Sequence, residues 1–441
     1  MPDTLEIVNR LYCDFFERGV RYFFPDARFT ANGPAPGASP SLSFHSRTDG
    51  SLDLEWMGTY YHLDHRGRPF TEDQLRLLGA IGAVLSARYR SIFFPATAAS
   101  TSHLFEGVQE DRFVSAFLDH FPYLDEDGLP TERDVVADAI EVLRESSLIT
   151  YENRRITSGV ILIGEAKDPY HPRPALPRGA LPYGNSLVTI KSFHRLCDGL
   201  HTVFLVNPDG MLVDLVDVEQ YSKACEGATL PVPSAARYRA HCLATLFGGH
   251  ICLVLTPNGE IKVFAGGVQV FHFMEGRWNV SDVKEKYHEF HIAVGDKRLA
   301  ERVFTAALNL AESRRGGLFV MLDDAQSAFQ LVASGDLLEN NDAEASRKAQ
   351  VHYLLCDKSV LEMELSVLQS IARVDGGIVM DRDGRLRAFG AILRNAGESL
   401  AALDGGRTTA AVHASRFGLA VKVSEDGMVS FYRGGVKVWE I

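Results

Sequence analysis

The sequence predicts an α/β fold, a mixed sheet flanked by helices, that follows an α+β N-terminal region. Three observations carry that reading. The first is a recurring pattern of two apolar runs around a turn pair. It occurs at Thr202–Val218 around Pro208-Asp209-Gly210, and at Ile251–Phe264 around Pro257-Asn258-Gly259. It recurs at Gly377–Phe389 around Asp383-Gly384, and at Leu419–Tyr432 around Asp426-Gly427. Asn-Gly and Asp-Gly between alternating apolar residues mark hairpins, because both turn positions need positive φ. The second is helical periodicity between these hairpins, at Lys297–Arg314 and Ala343–Val374. Strands alternating with helices indicate an α/β domain over roughly residues 245–441. The third is size and composition: 441 residues, 46% hydrophobic and 23% charged, enough for two or three domains with real cores.

The N-terminal elements follow in order. Leu5 to Arg18 carries Leu5, Val8, Leu11, Tyr12 and Phe15 at helical spacing. Residues 32–40 are rich in Gly, Pro and Ala and predict a loop. Two β-like runs, Ser41–Arg47 and Ser51–Leu63, meet at Asp49-Gly50. Thr71 is placed to N-cap a helix with Glu72 and Asp73 in its first turn. That helix carries Leu75, Leu78, Ile81, Leu85 and Tyr89 as its apolar stripe. Helix candidates at 110–121 and Thr131–Ser146 come next, then a strand at Ile156–Gly164. Residues 168–186 hold five of the 18 prolines and predict a surface loop. Leu187–Phe193 and Thr202–Val206 read as strands. The organisation predicted is 1–95, 96–240 and 241–441. The aromatic residues Phe15, Phe16, Tyr22, Phe23 and Phe24 read as core.

With 45 Lys+Arg against 57 Asp+Glu the net charge is −12. That makes the chain a poor candidate for non-specific nucleic-acid binding, which needs basic side chains against phosphates, and no nucleic-acid partner is expected. A small anion in a local basic pocket remains compatible with it. No apolar run approaches the roughly 20 residues of a membrane span, so no membrane partner is expected. The N-terminus lacks the pattern of a secretory signal, so a cytoplasmic protein is expected. None of the six cysteines forms a C-x-x-C pair, and most have apolar neighbours, so buried reduced thiols are expected.

Three stretches could carry chemistry. In Ala372-Arg-Val-Asp-Gly-Gly-Ile-Val-Met-Asp381, two glycines allow close backbone approach beside the Asp375 carboxylate. In Asp404-Gly-Gly-Arg-Thr-Thr-Ala-Ala-Val-His413, backbone N–H groups, Arg407 and two hydroxyls offer a phosphate cradle at a helix start. It is no Walker A loop, since G-K-[ST] is absent. Val421-Lys-Val-Ser-Glu-Asp-Gly427 puts Ser424 and Glu425 at a strand end. Each of these taken singly is more often structural than functional.

Their order and spacing resemble the diadenylate cyclase family, whose pattern is Asp-Gly-Ala, a Gly-x-Arg-His-Arg motif some thirty residues on, and a Val-Ser-Glu strand end. Arg302 to Asp324 looks like that family's helix and first core strand, and the resemblance covers about 245–441. Residues 1–95 resemble, in architecture alone, a GAF- or PAS-type sensory domain. Residues 96–240, with Tyr151-Glu-Asn-Arg-Arg155, look like the sensory extension of some relatives. The resemblance implies that two ATP are condensed to cyclic di-AMP and two pyrophosphates across a homodimer face, or within a larger homo-oligomer. It implies Mg²⁺ or Mn²⁺ at Asp375 and Glu425, with Asp375, Arg407 and Glu425 catalytic. Gly376 and Gly377 would admit the nucleotide; Gly406, Arg407, Thr408, Thr409 and Ser424 would face its phosphates.

Two departures stand out. Gly377 replaces the family's Ala, and Arg407-Thr408-Thr409 replaces Arg-His-Arg. Charge-assisted phosphate bonds are about twice as strong as neutral ones, so the second change could cost about a hundred- to a thousandfold in rate. A catalytically degenerate, nucleotide-binding sensor or dimerising scaffold is therefore the alternative, with His413 or Lys422 the nearby groups that could compensate. Other candidates are weaker. His288 and His291 have a metal-like spacing without a third ligand. His62 and His65 are expected at the surface. Arg314-Arg315-Gly316-Gly317 reads as a helix stop, and Asp323-Asp324 as a helix or turn start.

Overall fold

Helix α1 (Thr4–Phe23) buries Tyr12, Phe16 and Val20, residues four apart on one face, and leaves Leu11 exposed. The buried stripe is therefore rotated from the one the sequence suggested, because the partner surface is aromatic. Phe16 stacks on Trp56 at 5.4 Å, and the Trp56 indole N–H donates to the Tyr12 carbonyl at 3.1 Å. This computed structural model describes residues 4–35, 40–65, 67–93, 105–118, 134–151, 153–190, 192–339, 349–394 and 405–441. The chain divides into two units, Met1–Leu230 with Ala240–Asp282, and Pro231–Arg239 with Val283–Ile441.

In the first unit, strands β1 (Arg28–Pro34), β2 (Ser43–Ser46), β3 (Leu52–Trp56) and β4 (Thr59–Asp64) make an antiparallel sheet in the order β1-β4-β3-β2. The run Ser51–Leu63 is thus a hairpin rather than one strand. Met57 and Gly58 take φ of 48° and 74°, the left-handed pair of a tight hairpin turn. Helix α2 (Glu72–Phe93) starts in a capping box: Thr71 Oγ1 accepts from Gln74 N, and Gln74 Oε1 from Thr71 N. Helices α3 (Gln109–Leu118) and α4 (Val135–Leu148) follow; the ends expected at 119–121 and 131–133 lie outside the described residues. Strands β5 (Thr150–Tyr151) and β6 (Arg154–Arg155) form a short ladder.

The rest of this unit is a seven-stranded sheet of order β13-β12-β11-β10-β7-β8-β9. Its members are β7 (Ser158–Leu162), β8 (Thr202–Val206), β9 (Leu212–Asp217), β10 (Ile251–Leu255), β11 (Ile261–Ala265), β12 (Val268–Met274) and β13 (Arg277–Val280). Only β7 and β8 run parallel. Every residue of β7, β10 and β11 is buried, so the sheet is covered on both faces there. Strands at 251–280 belong to this unit, whereas the sequence put them after a boundary at 241. Short helices α5 (Phe193–Leu196), α6 (Val218–Ser222) and α7 (Arg239–Ala244) lie in its connections. The strand expected at Leu187–Phe193 is a 3₁₀ turn at Asn185–Leu187 leading to α5; Ile190 faces solvent and no alternating buried face exists.

The second unit carries helices α8 (Val283–Val294) and α9 (Lys297–Glu312) ahead of its sheet. Asp296 caps α9, its Oδ1 accepting from Leu299 N at 2.7 Å. Strands β14 (Gly317–Leu322), β15 (Gly377–Asp381), β16 (Leu386–Ala391), β17 (Gly418–Val423), β18 (Val429–Arg433) and β19 (Val436–Glu440) pair in the order β16-β15-β14-β17-β18-β19. β14 and β15 are parallel and the other neighbours antiparallel. Helices α10 (Ala328–Leu331), α11 (Leu365–Ala372) and α12 (Gly406–Ala414) complete it. Val320, Leu331, Val379, Ala411 and Ala420 are among the residues of its core. The α/β class, mixed sheets flanked by helices, is as predicted, and all four Asn-Gly or Asp-Gly hairpins form.

The long helix expected at Ala343–Val374 does not form over its described part. Asp357 takes a φ of 59°, and residues 358–360 pair with the β15–β16 turn: Val360 N donates to Gly384 O, and Leu386 N to Lys358 O. Backbone pairing there overrides a helical apolar period, leaving only α11.

Candidate functional site

β14 begins at Gly317 and β15 at Gly377, side by side and parallel. β17 runs the other way, pairing Val423 with Gly317. The starts of β14 and β15 and the end of β17 therefore share one sheet edge. Gly316, Asp375, Gly376, Ser424 and Glu425 follow from that topology, all at the same edge. This is the amino edge of the parallel pair, opposite to the usual ligand-binding edge of such sheets.

Arg407, in the first turn of α12, joins these segments. Its Nη1 lies 3.1 Å from Glu425 Oε1 and its Nη2 3.8 Å from Asp375 Oδ1. Asp375 is fully open to solvent, Glu425 largely so, and Arg407 about 35% exposed. The pair energies are accordingly small, about 0–1 kcal/mol each, and leave the guanidinium free to exchange carboxylates for a phosphate. The three residues predicted as catalytic thus meet in one place.

The glycines divide by role. Gly376 has a φ of +108°, and a Cβ there would sit 2.5 Å from the Gly390 carbonyl carbon. Backbone packing against β16 requires that glycine. A Cβ on Gly377 would make ordinary contacts with Leu318 at 3.4 Å, so this position has room for the alanine of the resembling family. Gly405, at φ +93°, is the residue before α12, and its carbonyl accepts from Thr408 N and Thr409 N. Gly406 is exposed, with open space around its Cα. Asp404 lies outside the described residues.

Thr408 accepts a hydrogen bond from Lys422 Nζ at 3.0 Å, which brings a second cation to the first turn of α12. His413 lies six residues beyond Arg407 on the same helix, about 9 Å of rise away, buried against Phe417. Lys422 is therefore at the site and His413 is not. Thr409 Oγ1 turns back to the Gly405 carbonyl. Ser424 Oγ donates to Asp426 and lies 3.1 Å from the Met428 carbonyl, so it closes the Asp426-Gly427 turn. The Ser424 hydroxyl is the main reason that the Asp426 carboxyl lies below its ordinary range.

Asp375 and Glu425 offer two hard oxygen donors bracketing a position of positive charge, now taken by Arg407. That donor set fits Mg²⁺ or Mn²⁺, which bind one or two carboxylates and complete their shell with water and phosphate oxygens. Asp375 and Glu425 would hold such an ion once Arg407 turns to a phosphate.

The remaining candidates resolve as follows. Asp323 pairs with Arg382, and Asp324 caps a 3₁₀ turn by accepting from Gln326 N, both at the opposite sheet edge. Arg314, at φ 51°, makes the α9 stop itself, with Arg315 N donating to Leu310 O. His62 is half-buried, 3.0 Å from Asp53 on the neighbouring strand, rather than at the surface; His65 is half-buried too. His288 is exposed and His291 stacks on Tyr287; neither joins a ligand cluster among the described residues. Four cysteines, Cys197, Cys225, Cys242 and Cys252, are buried, and none of the six is in a disulfide. A cluster that the sequence did not flag, Asp168 with His171 and His250, lies in the first unit. Its members are up to 82 residues apart, and no local spacing signals it. No helix among the described residues is long and apolar enough to cross a membrane.

No family model matches the chain, and no curated protein matches it. Among solved structures, it is similar to a hypothetical membrane spanning protein from Bacillus cereus, at 20% identity and a TM-score of 0.24, over 32% of this chain and 61% of that one. It is also similar to a double mutant of DacA from Staphylococcus aureus, at 18% identity and a TM-score of 0.23, over 36% of this chain and 87% of that one. The chain spans about 61% of the length of the first. Neither likeness bears on function at these scores.

Proposed function

We propose that the second unit is a nucleotide-binding domain of the diadenylate cyclase type that condenses two ATP into cyclic di-AMP. The observation that supports this most is Arg407 lying between Asp375 and Glu425 at one sheet edge, next to the start of α12. An arginine, two carboxylates and free backbone N–H groups of a helix start are what a triphosphate with a divalent ion requires. In each half-reaction a 3′-oxygen bonds to the α-phosphorus of the other ATP. The α–β bridging bond breaks, pyrophosphate leaves, and the hydroxyl proton passes to solvent. Bound Mg²⁺ or Mn²⁺ supplies charge neutralisation and a more acidic hydroxyl. Arg407 orients phosphates, and Asp375 and Glu425 fix where positive charge sits. Two copies must meet face to face, so a homodimer or larger homo-oligomer is part of the proposal, as are a cytoplasmic location and sensory control by the first unit.

The test is incubation of the purified chain with ATP and Mn²⁺ or Mg²⁺, with products separated and identified by mass, beside Asp375→Asn. Cyclic di-AMP that vanishes in the variant supports the cyclase. A second reading, a nucleotide receptor without turnover, is favoured by Thr408 and Thr409, whose hydroxyls are neutral and already hydrogen-bonded. It predicts no product but an ATP-dependent rise in melting temperature. Absence of both effects overturns the two readings together.

A further inference from the structure

The parallel strands β7 and β8 end at a cavity of 560 Å³ in the first unit, walled by residues 163–168 and 171–174 with Leu205, Val216 and Tyr221 among others. Asp168 and His171 come from the loop after β7. His250 immediately precedes β10, whose Ile251 pairs with Leu162 at the end of β7. Asp168 Oδ2 lies 2.7 Å from His171 Nδ1 and 2.8 Å from His250 Nε2, while Oδ1 accepts from Tyr170 N at 2.8 Å. Gly248 seats His250: a Cβ there would lie 2.7 Å from the ring and 3.0 Å from Asp168 Cβ.

Three ligand-type atoms so close invite a metal, but the far sides of the two rings decide against one. His250 Nδ1 accepts the Gly164 N–H at 3.0 Å. A nitrogen that accepts carries no proton, so the His250 proton is on Nε2, where a metal would need the lone pair. Metal-bound histidines instead donate from their other nitrogen. His171 faces acceptors on both sides, the Asp168 carboxylate and, at 2.8 Å from Nε2, the Tyr221 carbonyl. Only a doubly protonated ring can donate to both at once. Burial pushes the Asp168 carboxyl up, but the Tyr170 N–H and both histidines outweigh it and hold it below its ordinary range. Charges of both signs, Lys167 and Arg173 against Glu165 and Asp214, line the cavity, so its wall selects no charge class of ligand.

We propose that Asp168, His171 and His250 form a metal-free clasp that ties the 163–174 loop to α6 while His171 holds two protons, and releases it when one is lost. A neutral His171 has one proton for two acceptors and must abandon either Asp168 or the Tyr221 carbonyl. The groups facing His171 are Asp168, His250 and the Tyr221 ring stacked on it at 4.0 Å, with Cys225 electrostatically coupled to Asp168. Loss of that proton thus loosens the cavity wall.

The test uses the full chain labelled with ¹⁵N-histidine, read at about pH 5.5 and about pH 8.5, which brackets histidine titration. The expected spectrum has His250 as the neutral Nε2–H tautomer throughout, and His171 as imidazolium wherever the loop is held. Trypsin, corrected with an unstructured peptide, should cut after Lys167 and Arg178 about tenfold faster at the higher pH, since cleavage follows the open population. His171→Gln should be cut at the faster rate at both values. A His250 proton on Nδ1, or histidine resonances that move with added Zn²⁺, would overturn the clasp in favour of a metal site. Cleavage that keeps its pH dependence in H171Q would overturn it as well. The resonances are read on the unsubstituted chain, so the assignment is tested even if H171Q fails to fold.

Discussion

The guanidinium of Arg407 rests on the bare Cα of Gly316: a methyl group there would lie 2.1 Å from Nη1. Gly316 is outside the left-handed region, so alanine suits its backbone and the flexible arginine must yield. Gly316→Ala should change the melting temperature little, by less than about 1 kcal/mol in stability. It should weaken ATP binding about tenfold by displacing Arg407, as read by calorimetric titration. Unchanged affinity would remove Arg407 from the phosphate site.

The adjacent glycines at the start of β15 give opposite outcomes. Gly376→Ala forces a Cβ into the Gly390 and Ala391 backbone at a positive φ, and should cost about 2–3 kcal/mol in urea unfolding. Gly377→Ala meets only ordinary contacts and should stay within about 1 kcal/mol of the parent. Equal costs would refute the assignment of backbone crowding to Gly376 alone.

A buried ion pair anchors α4. Asp134 accepts from Arg112 at 2.9 Å, from Ser115 Oγ at 2.5 Å and from Ala137 N at 2.9 Å. Asp134→Ala removes a helix cap and strips Arg112 of its carboxylate, for an expected loss of about 3–5 kcal/mol. The charge itself is not a gain. Burial raises the Asp134 pKa despite Arg112 and Ser115, so the folded state holds its proton more tightly than the unfolded chain. Its contribution to stability therefore declines as pH climbs above the ordinary carboxylate range. Urea midpoints of the parent and Asp134→Asn should converge as pH is lowered.

Asp198 has the opposite sign. Burial raises it, but the Thr202 N–H, the His201 ring and the N–H groups of His201 and Leu200 outweigh that and bring its pKa to about 2. The folded pKa lies below the unfolded one, so its stabilisation is present above about pH 4 and is lost as pH falls toward 2. Half-exposure screens the effect to about 1 kcal/mol. Asp198→Asn should lower the urea midpoint at pH 7 and match the parent near pH 2; a deficit constant with pH would exclude the linkage.

How much of this could be read from the chain follows from where each signal lives. Asp-Gly and Asn-Gly turns are local, so the hairpins at 209–210, 258–259, 383–384 and 426–427 form as expected. The grouping of Asp375, Arg407 and Glu425 was legible only through the resemblance of motif order and spacing to a known family, since chain order alone does not put β14 between β15 and β17. The 358–360 segment was not legible, since its pairing with Gly384 is a long-range backbone choice that no apolar period reports. Strands at 251–280 joined the first unit for the same reason: Ile251 chose Leu162 as its partner. The Asp168 cluster was equally hidden, because His250 meets Asp168 only once β7 and β10 are paired.

Lys422 is a second cation beside the Arg407-Thr408-Thr409 segment. Its Nζ lies 3.0 Å from Thr408 Oγ1, and it sits on β17, which ends at Val423 just before Ser424 and Glu425. If it stands in for the missing basic side chains, Lys422→Met should weaken ATP binding about tenfold, the ~1.4 kcal/mol of one charge-assisted contact. Lys422→Arg should restore most of it, because guanidinium keeps the charge and adds donors. The fold should not suffer, since Lys422 is only half-buried and its backbone stays paired with Leu318 and Ser430. Calorimetric titration of ATP into both variants decides it. Equal affinity in the methionine variant would mean that Arg407 alone carries the phosphate, and would shift the balance toward a receptor without turnover.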